Sequence, residues 1–353
     1  MTIKKHKVGI LTTHDEINYG AFLQAYALQK AISGLGYECL IINYKGFKHW
    51  ILEYWYVLRA VNPIYFIRKL FKVFAFRRDQ SKASLTSFSF SKKSINRYGF
   101  ETIVLGSDEI WNFKNCIGEV FIPAHYGIGV TAKKIISYAP SFGSIGKNEQ
   151  IPNDIKNSLN GLDAISVRDL NSKIIIDQIA DKKAEIVVDP TLLIDFTGDE
   201  VKPAISRYIL VYIAGKIPDD LIKQTIEFSR KNNLKLISVG YRNKWCNSNC
   251  IAVSPFEWIG YVKNADYVLT NMFHGTIFSV KYRRSLCIVL SEYRMNKLGY
   301  LVNEILGIND FVFSKDRTLE TIFSGRPNYS EVETRLSQKR ESSLQYLKTA
   351  IDG

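Results

Sequence analysis

His274 is the only histidine in the second half of the chain, and it sits in the run Tyr267-Val-Leu-Thr-Asn-Met-Phe-His-Gly-Thr-Ile-Phe-Ser279. An imidazole titrates near neutrality, so one such group can both give and take a proton within a reaction. Tyr267 to Thr270 reads as a short buried strand, and Ile277, Phe278, Val280 and Lys281 begin a helical run. Between them, Asn271 to Gly275 form a strand-to-helix turn in which Gly275 permits tight backbone geometry. In an α/β sheet such turns gather at the carboxyl ends of strands, where ligands bind. The helix that follows offers N–H groups and a positive dipole end to an anion. Proton transfer beside a bound anion is therefore the chemistry expected here; a capping role is the other one open to His274.

Polar residues recur behind other apolar runs. Asn18, Tyr19 and Gly20 lie between the strand Val8 to Thr13 and a helix from about Ala21 to Leu35. Leu23, Ala27, Leu28, Ala31 and Leu35 share one face of that helix. Backbone amides in this first loop could hold a phosphate or a sugar. The loop is not a G-x-G-x-x-G fingerprint, so nicotinamide binding has no support. Thr102 to Gly106 enters Ser107, Asp108 and Trp111, and Ile135 to Ala139 precedes Ser141. Ala164 to Val167 ends at Arg168, and Glu185 to Val188 at Asp189-Pro190, where a turn or cap is expected.

These loops need a framework of alternating strands and helices. The first alternation occupies residues 1–195, interrupted by a basic, aromatic helical insertion at about 47–98. The chain becomes irregular around Asp195 to Ser206, the expected hinge. A second alternation fills 206–325: Tyr208 to Ile213, a helix to Asn232, Leu234 to Val239, the helix after Ser254-Pro255, Tyr267 to Thr270, Leu286 to Leu290 and a helix from Asn296 to Leu306. Residues 326–353 read as a helical tail. The expected fold class is α/β, with two Rossmann-like domains and a cleft between them.

An apolar fraction of 46% supports two real cores in 353 residues. No run reaches the length of a membrane span, and Met1 to Lys7 lacks a signal peptide's apolar segment. Five scattered cysteines suit a reducing, cytoplasmic setting. Cys246 and Cys250 read as loop cysteines, and no metal site is expected. Of the net charge of +13, ten units fall between Lys45 and Arg97, where twelve Lys or Arg meet only Glu53 and Asp79. Nothing resembles a nucleic-acid module. Trp50, Trp55, Phe66, Phe71, Phe74 and their neighbours alternate with the basic residues, with a break at Asn62-Pro63. The segment suits either the surface of an anionic membrane or a helical hairpin packed on the sheet with a solvated basic face.

Six segments in order resemble the polysaccharide pyruvyltransferase family: Asn18 to Leu28, Gly106 to Asn112, Ser137 to Gly143, Ser166 to Asp169, Asp189 to Thr191 and Phe273 to Ser279. The resemblance implies a GT-B fold and transfer of pyruvate from phosphoenolpyruvate onto a sugar as a ketal. The setting it implies is synthesis of a cell-surface glycan such as a capsule, exopolysaccharide or cell-wall polymer. It makes His274 the acid–base residue. It places Asn18, Tyr19, Gly20, Gln24, Ser107, Asp108, Trp111, Ser141, Phe273, Gly275 and Thr276 around the substrates. Phosphoenolpyruvate is a co-substrate, no cofactor is expected, and the sugar acceptor is free or lipid-linked. Many relatives carry Arg or Ser where this chain has Met272, and often Asp where it has Asn271. Arg168 and Arg294 are then the candidates for the donor carboxylate. Two other readings are a nucleotide-sugar glycosyltransferase on the same fold and a non-catalytic, membrane-peripheral binding protein.

Overall fold

Fully buried aliphatic runs such as Ile103-Val-Leu105 and Ile209-Leu-Val211 form parallel strands covered on both faces. The structure is a computed structural model that describes residues 6–59, 63–114, 122–291 and 294–353. It divides into two units. One comprises residues 1–59, 80–195 and 338–353, and the other 60–79 and 196–337.

In chain order, the first unit contributes β1 (Lys7–Leu11), α1 (Tyr19–Gly34), β2 (Glu38–Ile41) and α2 (Phe47–Leu58). The next helix, α3 (Pro63–Gln80), packs almost wholly in the second unit. The first unit resumes with α4 (Lys93–Arg97), β3 (Thr102–Leu105), β4 (Lys134–Ser137), α5 (Asn153–Asn160), β5 (Ser166–Val167), α6 (Leu170–Ile179) and β6 (Glu185–Ile186). Its main sheet has the order β2-β1-β3-β4, all parallel, with Val8 opposite Cys39 on one side and Thr102 on the other. β5 and β6 form a separate parallel pair. Leu11, Ile103, Leu105, Trp111, Phe142 and Val167 meet in one apolar core.

The second unit contributes β7 (Tyr208–Tyr212), α7 (Asp219–Lys231), β8 (Lys235–Val239), β9 (Ser248–Cys250), α8 (Pro255–Lys263), β10 (Tyr267–Thr270), α9 (Phe273–Lys281), β11 (Ser285–Ile288) and α10 (Leu319–Ser324). Its parallel sheet has the order β11-β10-β7-β8-β9. The helix expected from Asn296 to Leu306 is present as one helical run, wound mostly as π-helix, Met295–Gly299 and Leu301–Leu306, on either side of Tyr300. α11 (Tyr329–Asp352) starts in the second unit and ends in the first. The expected break at Asn62-Pro63 falls partly outside the described residues; α3 opens at Pro63, where a proline's missing N–H costs a helix nothing.

Candidate active site

In the second unit the chain leaves β7 toward β8 on one side and returns to the other side for β10. The topological switch point therefore lies between β7 and β10, and the loops that follow them must meet there. Asn271 ties them together: its Oδ1 accepts from the Ala214 amide (3.1 Å) and its Nδ2 donates to the Ala214 carbonyl (2.9 Å). The Thr270 hydroxyl donates to the Tyr212 carbonyl (3.0 Å) and accepts from the Met272 amide (3.1 Å). A Cβ on Gly275 would come 2.3 Å from the Thr270 hydroxyl and 2.8 Å from the Tyr212 ring, so only glycine lets α9 start this close to the sheet.

That approach brings His274, the second residue of α9, to the mouth half-buried, with the Phe273 ring edge-on at 5.3 Å. Met272, the N-cap residue, makes no side-chain capping bond, whereas Asn18, Asp169, Ser254 and Thr318 close α1, α6, α8 and α10. The dipole of α9 directs its positive end at this mouth. Arg294 acts at the same end of the sheet. Burial pushes the Tyr241 phenol up and Arg294 opposes it, and the Tyr241 ring lies 5.6 Å from that of Tyr212.

The first unit repeats the arrangement. Its switch point lies between β1 and β3, and Gln24 on α1 braces the two loops there. Gln24 Nε2 donates toward the Thr12 hydroxyl (3.1 Å) and the Thr13 and Ala21 carbonyls (3.1 and 2.8 Å). Its Oε1 accepts from the Ser107 amide (3.2 Å) and hydroxyl (2.9 Å), and the Thr12 hydroxyl donates to the Ser107 carbonyl (2.9 Å). Asp108 follows with φ +75°, in the left-handed region that non-glycine residues seldom enter.

Asp108 is held in that place by Arg168. Arg168 Nη2 donates to Asp108 Oδ1 (2.9 Å) and Nη1 to Asp189 Oδ2 (2.8 Å), with the arginine side chain 1% exposed and that of Asp108 18% exposed. Asp189 also caps the turn after it, accepting from the Thr191 amide (3.0 Å) and hydroxyl (2.6 Å). The expectation that Arg168 clamps a substrate carboxylate meets a different geometry: its planar fork is already committed to two carboxylates of its own chain.

A second set of charges at this mouth escaped the sequence reading. Lys45 is buried and donates to Asp15 (2.9 Å) and to Glu53, whose other oxygen accepts from the Ile17 amide (3.1 Å). Burial disfavours the Lys45 ammonium, but the two carboxylates outweigh it and hold its pKa above the usual value. Glu16 is pushed up to about 8, chiefly by burial and then by Glu53, with Lys45 opposing and Asp108 adding to the rise. His49 is lowered to about 4 and His125 to about 3, both mainly by burial, so both imidazoles are neutral at physiological pH. The only sequence signals for this cluster were Asp15-Glu16 in the first loop and His49 four residues before Glu53.

Of the expected site residues, Asn18, Asp108, His274 and Arg294 present surface at the mouths of their units. The others build the frame. Asn18 spends its side-chain oxygen on the Gly20 amide (3.0 Å), so that amide is taken, and Tyr19 and Gly20 are buried. Trp111 has no exposed area: it donates to the His125 carbonyl (3.1 Å) and packs on Phe142, which makes it core rather than a substrate contact. Ser107 is bound to Gln24, Ser141 accepts from the Gly143 amide (2.9 Å), and Thr276 donates back to the Met272 carbonyl (3.2 Å). Phe273 and Gly275 are buried beneath the mouth.

Two parallel α/β units, each with polar loops at its switch point, define a GT-B fold of two Rossmann-like units. The chain belongs to the polysaccharide pyruvyl transferase family, whose profile matches residues 18–289. No curated protein matches the chain. Among solved structures it is similar to UGT89C1 of Arabidopsis thaliana complexed with UDP-L-rhamnose, at 10% identity and a TM-score of 0.51, covering 99% of both chains. It is also similar to the UDP-GlcNAc 2-epimerase of Methanocaldococcus jannaschii in complex with UDP-GlcNAc and UDP, at 13% identity and a TM-score of 0.49, covering 98% of this chain and 99% of that one.

Proposed function

We propose that the protein transfers pyruvate from phosphoenolpyruvate onto two hydroxyls of a sugar, forming a ketal and releasing phosphate, in the synthesis of a cell-surface glycan. The observation that supports this reading best is His274 in the first turn of α9, at the β7/β10 switch point, inside the family's matched span. His274 protonates the methylene carbon of phosphoenolpyruvate, which leaves the adjacent carbon electron-poor. A sugar hydroxyl attacks that carbon and surrenders its proton to the imidazole, regenerating the acid. Phosphate then departs with the carbon–oxygen bonding pair, and a second hydroxyl closes the ketal, its proton passing to the released phosphate. The positive dipole end of α9 favours the phosphate, and Arg294 takes the donor carboxylate in place of an arginine at position 272.

Mass spectrometry of candidate nucleotide-linked and lipid-linked sugars, incubated with the protein and phosphoenolpyruvate, tests the reading. Gain of one pyruvyl group with release of phosphate is the expected result. Transfer of a glycosyl group from a nucleotide sugar, with no use of phosphoenolpyruvate, would replace it.

A further inference from the structure

α3 is built inside out for a helix bathed in water. Ile64, Ile67, Phe71 and Phe74 follow one another at spacings of three, four and three residues, which places them on one face. All four are between 50% and 69% exposed. The opposite face carries cations and aromatic rings that pack into the second unit. Lys72 donates to the Gly240 carbonyl (3.3 Å) and lies 5.5 Å over the Phe76 ring and 5.9 Å over that of Tyr241. Lys69 lies 5.2 Å over Tyr65, and Arg242 covers the same ring at 5.8 Å. A row of large apolar side chains held outward by an anchored inner face marks a surface meant for a partner.

The chemistry around the row says which partner. Arg68 and Arg78 are exposed beside it, and a cavity of about 570 Å³ opens alongside, bounded by Ile64, Tyr65, Arg68, Arg242, Asn247 and Asn249. Two guanidiniums at that cavity suit phosphate groups. The first unit shows the same device: on α2, Phe47, Ile51 and Trp55 recur every four residues and are exposed. These stripes fall in the segment that carries ten of the thirteen excess positive charges. Apolar and aromatic anchors combined with a local cationic excess are the pattern of a helix lying in a membrane interface, and no described helix is long and apolar enough to cross one.

We propose that the outward face of α3 docks on an anionic lipid surface, with Ile67, Phe71 and Phe74 entering the headgroup–acyl boundary while Arg68 and Arg242 receive lipid phosphates. This docking is independent of the catalytic reading, so a His274→Ala variant partitions as wild type does. The full-length protein is tested by co-sedimentation with vesicles of phosphatidylcholine alone and of phosphatidylcholine mixed with phosphatidylglycerol. Wild type binds the mixed vesicles and leaves the neutral ones, and binding weakens as salt rises. The triple variant Ile67→Ser, Phe71→Ser, Phe74→Ser loses at least about tenfold in partitioning, because three side chains no longer leave water. Its melting temperature is unchanged, since these side chains are already exposed. Arg68→Gln with Arg242→Gln binds more weakly and with less salt dependence. The proposal fails if wild type ignores the mixed vesicles at low salt, or if the triple variant partitions unchanged. It fails equally if light scattering shows two copies joined through the stripe and the triple variant separates them while binding the mixed vesicles as wild type does.

Discussion

The carboxamide of Asn271 grips both backbone polar groups of Ala214, 57 residues earlier in the chain. One residue thereby welds the ends of two neighbouring parallel strands at the place where the second unit's sheet changes direction. An amide can do this because it both donates and accepts; a carboxylate can only accept. Asn271→Asp is expected to leave the Ala214 carbonyl facing a buried negative charge and to cost about 1–3 kcal/mol. Thermal unfolding of the two proteins checks the loss, and an unchanged melting temperature would show that the weld is not structural.

His274→Ala is expected to reduce transfer by about two to four orders of magnitude while the melting temperature stays within error of wild type. Gly275, Thr270 and Asn271 set the approach of α9 to the sheet, so the fold is expected to survive loss of the imidazole. Activity within tenfold of wild type would return the residue to helix capping.

Arg168→Ala is expected to behave as a structural lesion. It strands Asp189 in a dry site and releases Asp108 from its left-handed conformation. Breaking a buried ion pair from one side typically costs about 3–5 kcal/mol. Denaturant titration should show that loss. A rise in the KM for phosphoenolpyruvate at unchanged stability would instead mean that the guanidinium reaches the substrate.

The Glu16 cluster gives stability a pH dependence with a definite sign. Its folded-state pKa of about 8 lies above the ordinary 4.5, so between those values the folded chain keeps a proton that the unfolded chain has released. The stability this contributes is whole below pH 4.5 and is lost as pH rises through about 8. Glu16→Gln cannot ionise, so its melting temperature is expected to gain steadily on wild type between about pH 5 and pH 8. His49 and His125 act in the opposite sense at lower pH: their depressed pKa values mean that stability falls as pH drops below 6.5 toward about 4 and about 3. A flat difference between wild type and Glu16→Gln across that range would place Glu16 in water.

Strands and their following turns were legible because their signals are local. Tyr267 to Thr270 needs only four consecutive residues to announce itself, and the strand occupies that span. The frame around His274 was half legible: the turn and the need for glycine could be read, but not that the missing Cβ would strike Thr270 and Tyr212. Trp111 misled because a tryptophan beside polar residues looks the same in sequence whether it lines a pocket or fills a core. Lys45 joins Asp15 and Glu53 across gaps of 30 and 8 residues, and no periodicity marks such a meeting. In α3, spacing could say which residues share a face. Only packing against Gly240 and Tyr241 could say which face is inside.

α11 has a consequence for how the molecule comes into being. Its last turns belong to the first unit, where Tyr346 donates to the Ser137 carbonyl, the Ser343 hydroxyl accepts from the Val188 amide, and Leu347 and Ile351 are wholly enclosed. The unit that begins the chain is thus closed by residues that leave the ribosome after every part of its companion. Vectorial synthesis, which usually lets an N-terminal domain finish first, here keeps the opening β-α-β segment waiting for its final helix.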